Sequence, residues 1–562
     1  MVFGMKKQWW HGKAAYQIYP KSFRDSNGDG IGDIRGIIEK LDYLKGLGID
    51  IIWISPIYQS PFVDQGYDIS DYYEIDPAFG TMDDFDELMR EAKKRDIHIL
   101  MDLVINHCSD KHEWFQKALA DPQGEYGGYF YFEKGKDGKA PSNYRSYFGG
   151  STWEPVPGTD LYYLHFFAKE QPDLNWENKK VREELFRMVN WWLDKGLAGF
   201  RIDAIMNIKK EAGFPDYEPD GSDGLVRCSR MVEEVKGIGE FLGELKREAF
   251  AKHDAFTVAE VFNMRKEELK EFIGEEGHFS TMFDFAALDT MAGGHGWYDA
   301  PGYDFFRWRK AIFDAQKKYQ GEVFLANIIE NHDEPRGAST YLPDYAQNDE
   351  GAKMLATTSI LLWGLPFLYQ GQEIGMTNCR MKDIEDYDDI DTRNQYQIAR
   401  EAGLSKEEAL QVCYKHSRDN ARTPMQWSGE ANAGFTTGRP WMKVNPNYAE
   451  KNVEAQEKDA FSVLTYYKKL LALRKAEKYG EVFTYGDFRP DYEGEGMIFS
   501  YHRSNEKQDV LIAANFGRER AELELGQQGE MLLQNQDTVS LDGGKLILPS
   551  CGAAVVELLP EG

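Results

Sequence analysis

FDELMREAKKRDIHILMDLVI, Phe85 to Ile105, joins two periodicities that do not mix. In its first half Phe85, Leu88, Met89 and Ala92 recur at three- and four-residue steps, the signature of one helix face. In its second half Ile97 to Ile105 is apolar at almost every position, which predicts a strand buried on both faces. The same unit recurs on either side. Ile34, Ile37, Ile38, Leu41 and Leu44 predict a helix that Gly48 stops, and Ile49 to Ile57 follows as an apolar run. Val189 to Leu193 predicts another helix, and LAGFRIDA, Leu197 to Ala204, another strand. Tyr16 to Tyr19, Phe256 to Val261, Ser280 to Phe285, Leu325 to Glu330 and Leu365 to Tyr369 bring the strands to eight.

Apolar strands alternating with amphipathic helices predict an α/β fold with a covered parallel sheet. Eight such units predict a (β/α)8 TIM barrel with long insertions; a doubly wound open sheet is the alternative. The polar residues favour the barrel. Asp102, Asp203, Glu260 and Asp333 each fall toward or just past the C-terminal end of an apolar run, the face where barrel enzymes place their chemistry. Two regions break the pattern. Residues 108–176, rich in Gly, Tyr, Phe and Pro, predict a small domain B inserted after the third strand. Residues 481–562 shift to short alternating segments (Gly496 to Tyr501, Val510 to Phe516, Leu546 to Leu548, Ala553 to Leu559), which predict a C-terminal antiparallel β-sandwich domain. The barrel is then 1–107 and 177–480.

The chain has 562 residues with 66 basic against 94 acidic side chains, a net charge of −28. Such a surface repels phosphate backbones and anionic lipid, so nucleic-acid and membrane-surface partners are excluded. The most apolar stretch, Ile360 to Tyr369, is short and broken by Gly and Pro, so no membrane span is expected. Met1 to Tyr19 lacks the apolar core of a signal peptide, and the five scattered cysteines suit neither zinc nor a disulfide framework. A reduced, cytoplasmic protein is expected. Thirteen Trp and 31 Tyr suit a carbohydrate-binding surface, although large packed cores use such rings too.

Ionised carboxylates that follow apolar runs are costly unless paired or used. Arg201 lies two residues before Asp203, so on a strand both point the same way. The guanidinium is expected to lower the pKa of Asp203 and keep it anionic, as a nucleophile requires; a buried ion pair without chemistry would show the same spacing. Glu260, beside Ala259, Val261 and Phe262, is expected to hold a proton for donation. One ionised carboxylate and one carboxylic acid are the equipment for glycoside cleavage.

Seven segments carry a resemblance. DLVINH (Asp102 to His107), GFRIDA (Gly199 to Ala204), AEVF (Ala259 to Phe262), NHD (Asn331 to Asp333), QPDLN (Gln171 to Asn175), YQIYPKSF (Tyr16 to Phe23) and RTPMQW (Arg422 to Trp427) occur in the order of the α-amylase family of glycoside hydrolases. The chain resembles the oligo-1,6-glucosidase/α-glucosidase branch of that family. The resemblance implies a retaining reaction in two displacements, with Asp203 as nucleophile, Glu260 as general acid/base and Asp333 stabilising the distorted sugar. It implies His107 and His332 as hydroxyl contacts, Arg201 orienting the nucleophile and Tyr67 as a platform under the ring. Phe148 and Phe167 are implied as pocket walls, although core packing would explain them as well. Asp64 and Arg422 are implied as a pair closing the pocket, and Arg336 as a further hydroxyl contact. A closed end makes the enzyme exo-acting on small α-glucosides, as a monomer or weak homo-oligomer.

DSNGDGIGD, Asp25 to Asp33, offers oxygen donors at alternate positions: Asp25, Asn27, Asp29, the Ile31 carbonyl and Asp33. That spacing is a calcium loop's, yet Gly36 stands where an EF-hand needs Glu, and a polar turn without metal fits too. The resemblance favours a structural Ca²⁺ or Mg²⁺ and no organic cofactor. Some positions depart from the family. Ala204 follows the expected nucleophile where members preferring α-1,6 links carry Val, which gives maltose-type substrates weight. Glu334 and Cys108 replace a usual Gln and Thr without a derivable consequence. The Arg-rich loop of sucrose isomerases is not evident between Asn378 and Gln397, with DTRN (Asp391 to Asn394) its nearest echo. Transfer of glucose to a sugar, as in isomerases or transglucosylases, uses the same intermediate. A non-catalytic ancillary subunit of this fold would lack part of the acid set and carry a membrane helix.

Overall fold

A computed structural model describes residues 6–261, 272–274, 277–291, 293 and 296–560. Phe262 of the AEVF motif lies outside the described residues, as do the outermost ends of the first and last domains read from the sequence.

Eight parallel strands form the centre: β1 (Ala15–Ile18), β2 (Ile51–Ile54), β3 (His98–Val104), β4 (Gly199–Asp203), β5 (Phe256–Ala259), β6 (Thr281–Met282), β7 (Ala326–Asn327) and β8 (Leu365–Tyr369). They pair in the order β6-β5-β4-β3-β2-β1-β8-β7. A parallel bridge from Phe283 to Ala326, with Asp284 N donating to Ala326 O at 3.1 Å, joins β6 to β7 and closes the ring. The sheet is the expected barrel and not the open alternative. Several strands are shorter than the apolar runs that predicted them. At the entry to β6 the ladder gives way to side chains: Thr257 N donates to Ser280 Oγ at 3.1 Å and Ser280 N to Thr257 Oγ1 at 2.9 Å.

Register does the positioning. Arg201 of β4 stands opposite Asp102 of β3, so both side chains share one face of the barrel wall. Gly199 has φ 153°, and a Cβ there would meet Phe256 O at 1.7 Å, so β4 and β5 approach only through a glycine. The helices are fixed by their ends. Met82–Lys94 begins in a capping box, Thr81 and Asp84 each accepting the other's backbone N–H, and Leu41–Leu47 ends on Gly48 at φ 104°.

After β3 an antiparallel sheet of Phe132–Lys134, Leu161–Leu164 and Trp153–Pro155 stands off the barrel. It does not pack alone. Val226–Arg227, from the segment after β4, pairs with Tyr144–Arg145, and Phe214, Cys228 and Met231 complete the core around Trp153, Leu164 and Phe166. Two excursions from neighbouring strands therefore interlock, which the sequence reading, with one insertion, did not foresee.

The C-terminal region forms a five-stranded and a three-stranded antiparallel sheet, whose shared core holds Leu511, Val539, Leu546, Leu548, Ala554 and Val556. The fully buried Arg503 ties it to the barrel, beside Arg474, equally buried, from the helix Val463–Lys475. Arg474 donates to Ile360 O at 2.9 Å and Gly364 O at 2.6 Å, and Arg503 to Leu361 O at 2.7 Å and Gly486 O at 2.9 Å. Burial pulls Arg474 down to about 10 and, with Arg474 beside it, Arg503 down to about 9.

In the same region His502 sits between Asp509, at 2.7 Å, and Asp491, at 3.2 Å. Burial opposes its charge, but the two carboxylates outweigh burial and raise its pKa. A raised histidine stabilises fully below the unfolded value of about 6.5 and loses that contribution as pH climbs through the folded value. His502→Gln is expected to lower Tm more at pH 6 than at pH 9, by thermal unfolding at both; equal losses would refute the assignment.

Candidate active site

At the C-terminal mouth of the barrel four charged side chains meet. Arg201 Nη1 donates to Asp102 Oδ1 at 2.9 Å and to Asp203 Oδ1 at 2.6 Å, and its Nη2 to Glu260 Oε1 at 2.6 Å. Asp203 is the last residue of β4, and Glu260 comes directly after β5. Ala204, in the left-handed region at φ 44°, turns its N–H to Glu260 Oε2 at 2.9 Å. Burial pushes both carboxyls up, Asp203 to about 7 and Glu260 to about 7, against the pull of Arg201. For Asp203 this reverses the sequence expectation. One guanidinium is shared among three acids, and water is too scarce to make up the deficit.

Asp333, in the loop after β7, behaves oppositely. Burial works against its charge, but His332 and then Arg418 and Arg422 hold its carboxyl well below the ordinary carboxylate range. His332 Nε2 lies 3.0 Å from Asp333 Oδ2, Arg418 Nη1 3.0 Å and Arg422 Nη2 3.1 Å from its Oδ1. Gln17 Nε2 donates to His332 Nδ1 at 2.8 Å, leaving Nε2 to carry the proton. Tyr67 stacks on His332 with centroids 5.2 Å apart and donates its hydroxyl to Asp102 Oδ2 at 2.9 Å. His107 lies against Phe167, centroids 5.1 Å apart, and Phe167 against Phe148 at 5.6 Å. Asp333 and Arg418 open onto a cavity of about 1260 Å³ that Trp297, Tyr303 and Tyr341 also line.

Residues 17–486 match the family model "Alpha amylase, catalytic domain", and residues 498–555 match "Alpha-amylase SusG C-terminal domain". The chain belongs to the α-amylase family. Within the family it stands beside the oligo-1,6-glucosidases. It is 43% identical to the Oligo-1,6-glucosidase of Bacillus cereus over 95% of this chain and 96% of that one. It is 44% identical to the Probable oligo-1,6-glucosidase 3 of Bacillus subtilis (strain 168) over 91% of each. Among solved structures, the isomaltulose synthase of Protaminobacter rubrum superposes with a TM-score of 0.94 at 37% identity, covering 99% of this chain and 100% of that one. The trehalose-6-phosphate hydrolase of Bacillus licheniformis gives 0.90 at 39%, with the same coverage.

Most positions that resemble the family's site converge here, with two exceptions. Asp64 pairs with Arg418, at 3.5 Å, and not with Arg422, which stays behind Asp333 and donates to His332 O at 3.0 Å. Arg336 is fully buried, its guanidinium spent on the carbonyls of Gln370, Asn420 and Ala421, so it braces the loop and does not face the pocket. Arg418 was missed, although RDNAR places it four residues before Arg422. Gln171 was missed too: it joins Asp64, at 3.1 Å, to His107, at 3.1 Å.

The Asp25–Asp33 loop satisfies itself. Asp25 accepts from Asn27 N, Gly28 N and Gly30 N, Asn27 from Asp29 N, and Asp33 from Ser26 N and Gly36 N. Among the described residues no group of three or more His, Cys, Asp or Glu side chains could hold a metal ion.

With Asp203 and Glu260 both pushed to about 7, the site keeps a proton through neutrality and loses it above. On a natural disaccharide kcat/KM is expected to fall as pH rises past about 7, measured as a pH–rate profile. Glu260→Gln should cost roughly 10²–10⁴-fold on that substrate. On a 4-nitrophenyl glucoside, whose leaving group needs no proton, it should cost far less in the first, bond-breaking step. Equal losses on both would remove Glu260 as the acid.

Proposed function

We propose that the protein is an α-glucosidase that removes terminal glucose from short α-glucosides, exo-acting and with retention. The observation that carries this reading is the buried Asp203–Arg201–Glu260 arrangement, each acid 2.6 Å from a terminal nitrogen of one guanidinium. Two carboxyls on one small fork favour the separation of about 5–5.5 Å used for retention over the wider gap that admits a water.

In this reading Asp203 attacks the anomeric carbon while Glu260 gives its proton to the departing oxygen, leaving a glucosyl ester on Asp203. Glu260, now ionised, takes a proton from water, whose oxygen attacks the same carbon and frees Asp203. The site's protons are restored after each cycle. Asp333, kept anionic by His332, Arg418 and Arg422, faces the positive charge that develops on the sugar. Tyr67, His107 and His332 supply ring and hydroxyl contacts. The Asp64–Arg418 pair blocks the far end, which supports attack from chain ends.

Capture of the glucosyl group by a sugar uses the same steps, and the likeness to an isomaltulose synthase keeps that product class in the test. Among the described residues no helix is long and apolar enough to cross a membrane. The five cysteines are unpaired and buried, which supports the cytoplasm as the compartment. A divalent cation at Asp25–Asp33 stays a proposal resting on the alternate oxygen donors.

Glucose release from maltose and isomaltose, with Asp203→Asn as blank, tests the function, and proton NMR showing α-glucose as the first anomer tests retention. Release from neither sugar would overturn the reading. Ala204→Val crowds the space beside the scissile bond and is expected to shift the isomaltose-to-maltose ratio of kcat/KM upward by about tenfold; an unchanged ratio would remove Ala204 as a linkage determinant. Adding Ca²⁺ to chelator-treated protein is expected to raise Tm and leave kcat/KM unchanged; no rise in Tm would dismiss the metal.

A further inference from the structure

Behind Asp333 lies a second tier of charge. Asp389, the N-cap of the helix Ile390–Glu401, is sealed from solvent. Its Oδ1 accepts from Arg418 Nε at 3.0 Å and Arg418 Nη2 at 2.5 Å. The buried Arg422 Nη1, which has no hydrogen-bond partner among the described residues, faces the same oxygen at 3.6 Å. The other oxygen accepts from Thr392 N at 3.0 Å and Thr392 Oγ1 at 2.6 Å. Asp389 N in turn donates to Asp419 Oδ2 at 3.0 Å. Thr392 therefore fixes one oxygen of the carboxylate and turns the other to the two arginines.

A guanidinium is planar, with donors in fixed directions, so pinning one edge fixes the others. Asp389 holds the Nε–Nη2 edge of Arg418. Nη1 is then aimed at Asp333, and Nη2 also reaches Asp64 at 3.5 Å. Without that edge contact the long side chain regains rotamer freedom, and both pocket contacts must bear the cost of ordering it. Arg418, acting first against burial, also holds Asp389 down to about 2, so the anchor stays ionised wherever the enzyme works.

We propose that Asp389 is a positioning residue which, through Arg418, sets the orientation of Asp333 and the closed end of the pocket at Asp64. This rests on the reading of Asp333 and Asp64 as sugar-facing groups.

The test is a double-mutant cycle on maltose hydrolysis with Asp389→Asn, Arg418→Gln and the pair. Asparagine keeps the shape and an acceptor for Thr392 N but loses the charge that grips Arg418. Asp389→Asn is expected to lower kcat/KM at least tenfold, with KM raised as well as kcat lowered. In the Arg418→Gln background the same change is expected to cost less than twofold, because the path it acts through is gone. A merely structural role would give equal factors in both backgrounds and would overturn the proposal, as would unchanged kinetics in Asp389→Asn. If Asp389→Asn does not fold, Thr392→Val loosens the same carboxylate while leaving its arginine contact, and takes its place with the same non-additivity expected. Wild-type protein that releases no glucose removes the proposed function and this inference together. An active wild type with additive losses removes the inference alone.

Discussion

Arg201 stands between Asp102, Asp203 and Glu260 where little solvent reaches to balance the charges. Its plane lies over Trp53 and Tyr67, 5.0 and 5.8 Å from the ring centroids, so it cannot swing to favour one acid. Asp102 is the most restrained of the three, accepting also from Trp53 Nε1 at 3.0 Å and Tyr67 Oη at 2.9 Å. The remaining freedom, and the proton that one cation cannot displace from three acids, therefore fall to Asp203 and Glu260. Strand register, the glycine that brings β4 against β5 and the strained backbone at Ala204 all bear on keeping these atoms in reach of one another. The barrel is in this sense a frame built around a deliberate shortage of positive charge.

Much of that frame could be read from the chain. Ile97–Ile105 and Leu197–Ala204 betray themselves because strands buried on both faces need apolar side chains at consecutive positions. The start of β6 could not be read, because what replaces the ladder there is hydrogen bonding between Thr257 and Ser280, far apart in sequence. The interlock of 144–145 with 226–227 was hidden for the same reason: each half is a two-residue strand with no periodicity of its own.

The site shows the same division. Motifs located Asp203, Glu260 and Asp333, but the upward push of burial on the Asp203 carboxyl could not be read from Arg201 alone. A neighbour two residues away is visible in sequence, whereas competition from Asp102 across the register is not. Arg418 and Arg422 share one short segment, and only the folded chain tells which reaches Asp64. Arg336 followed a motif and so looked like a sugar contact. The carbonyls of Gln370, Asn420 and Ala421, which claim it, come from elsewhere in the chain.

The arginines at the far side of the molecule carry a different consequence. Arg503, from a strand of the C-terminal sheet, and Arg474, from the helix before it, cap carbonyls of the turn at 360–364 that feeds β8. Arg474 does so from within the barrel, whereas Arg503 reaches Leu361 O across the domain boundary. Such an arrangement does not transplant freely: a barrel grafted onto a foreign tail would leave Leu361 O without its arginine donor, and the tail moved elsewhere would leave the buried Arg503 only its bonds to Gly486 O. The C-terminal sheets are thus less an appendage than the missing wall of the barrel's last turn, and the two halves of the chain are bound to change together.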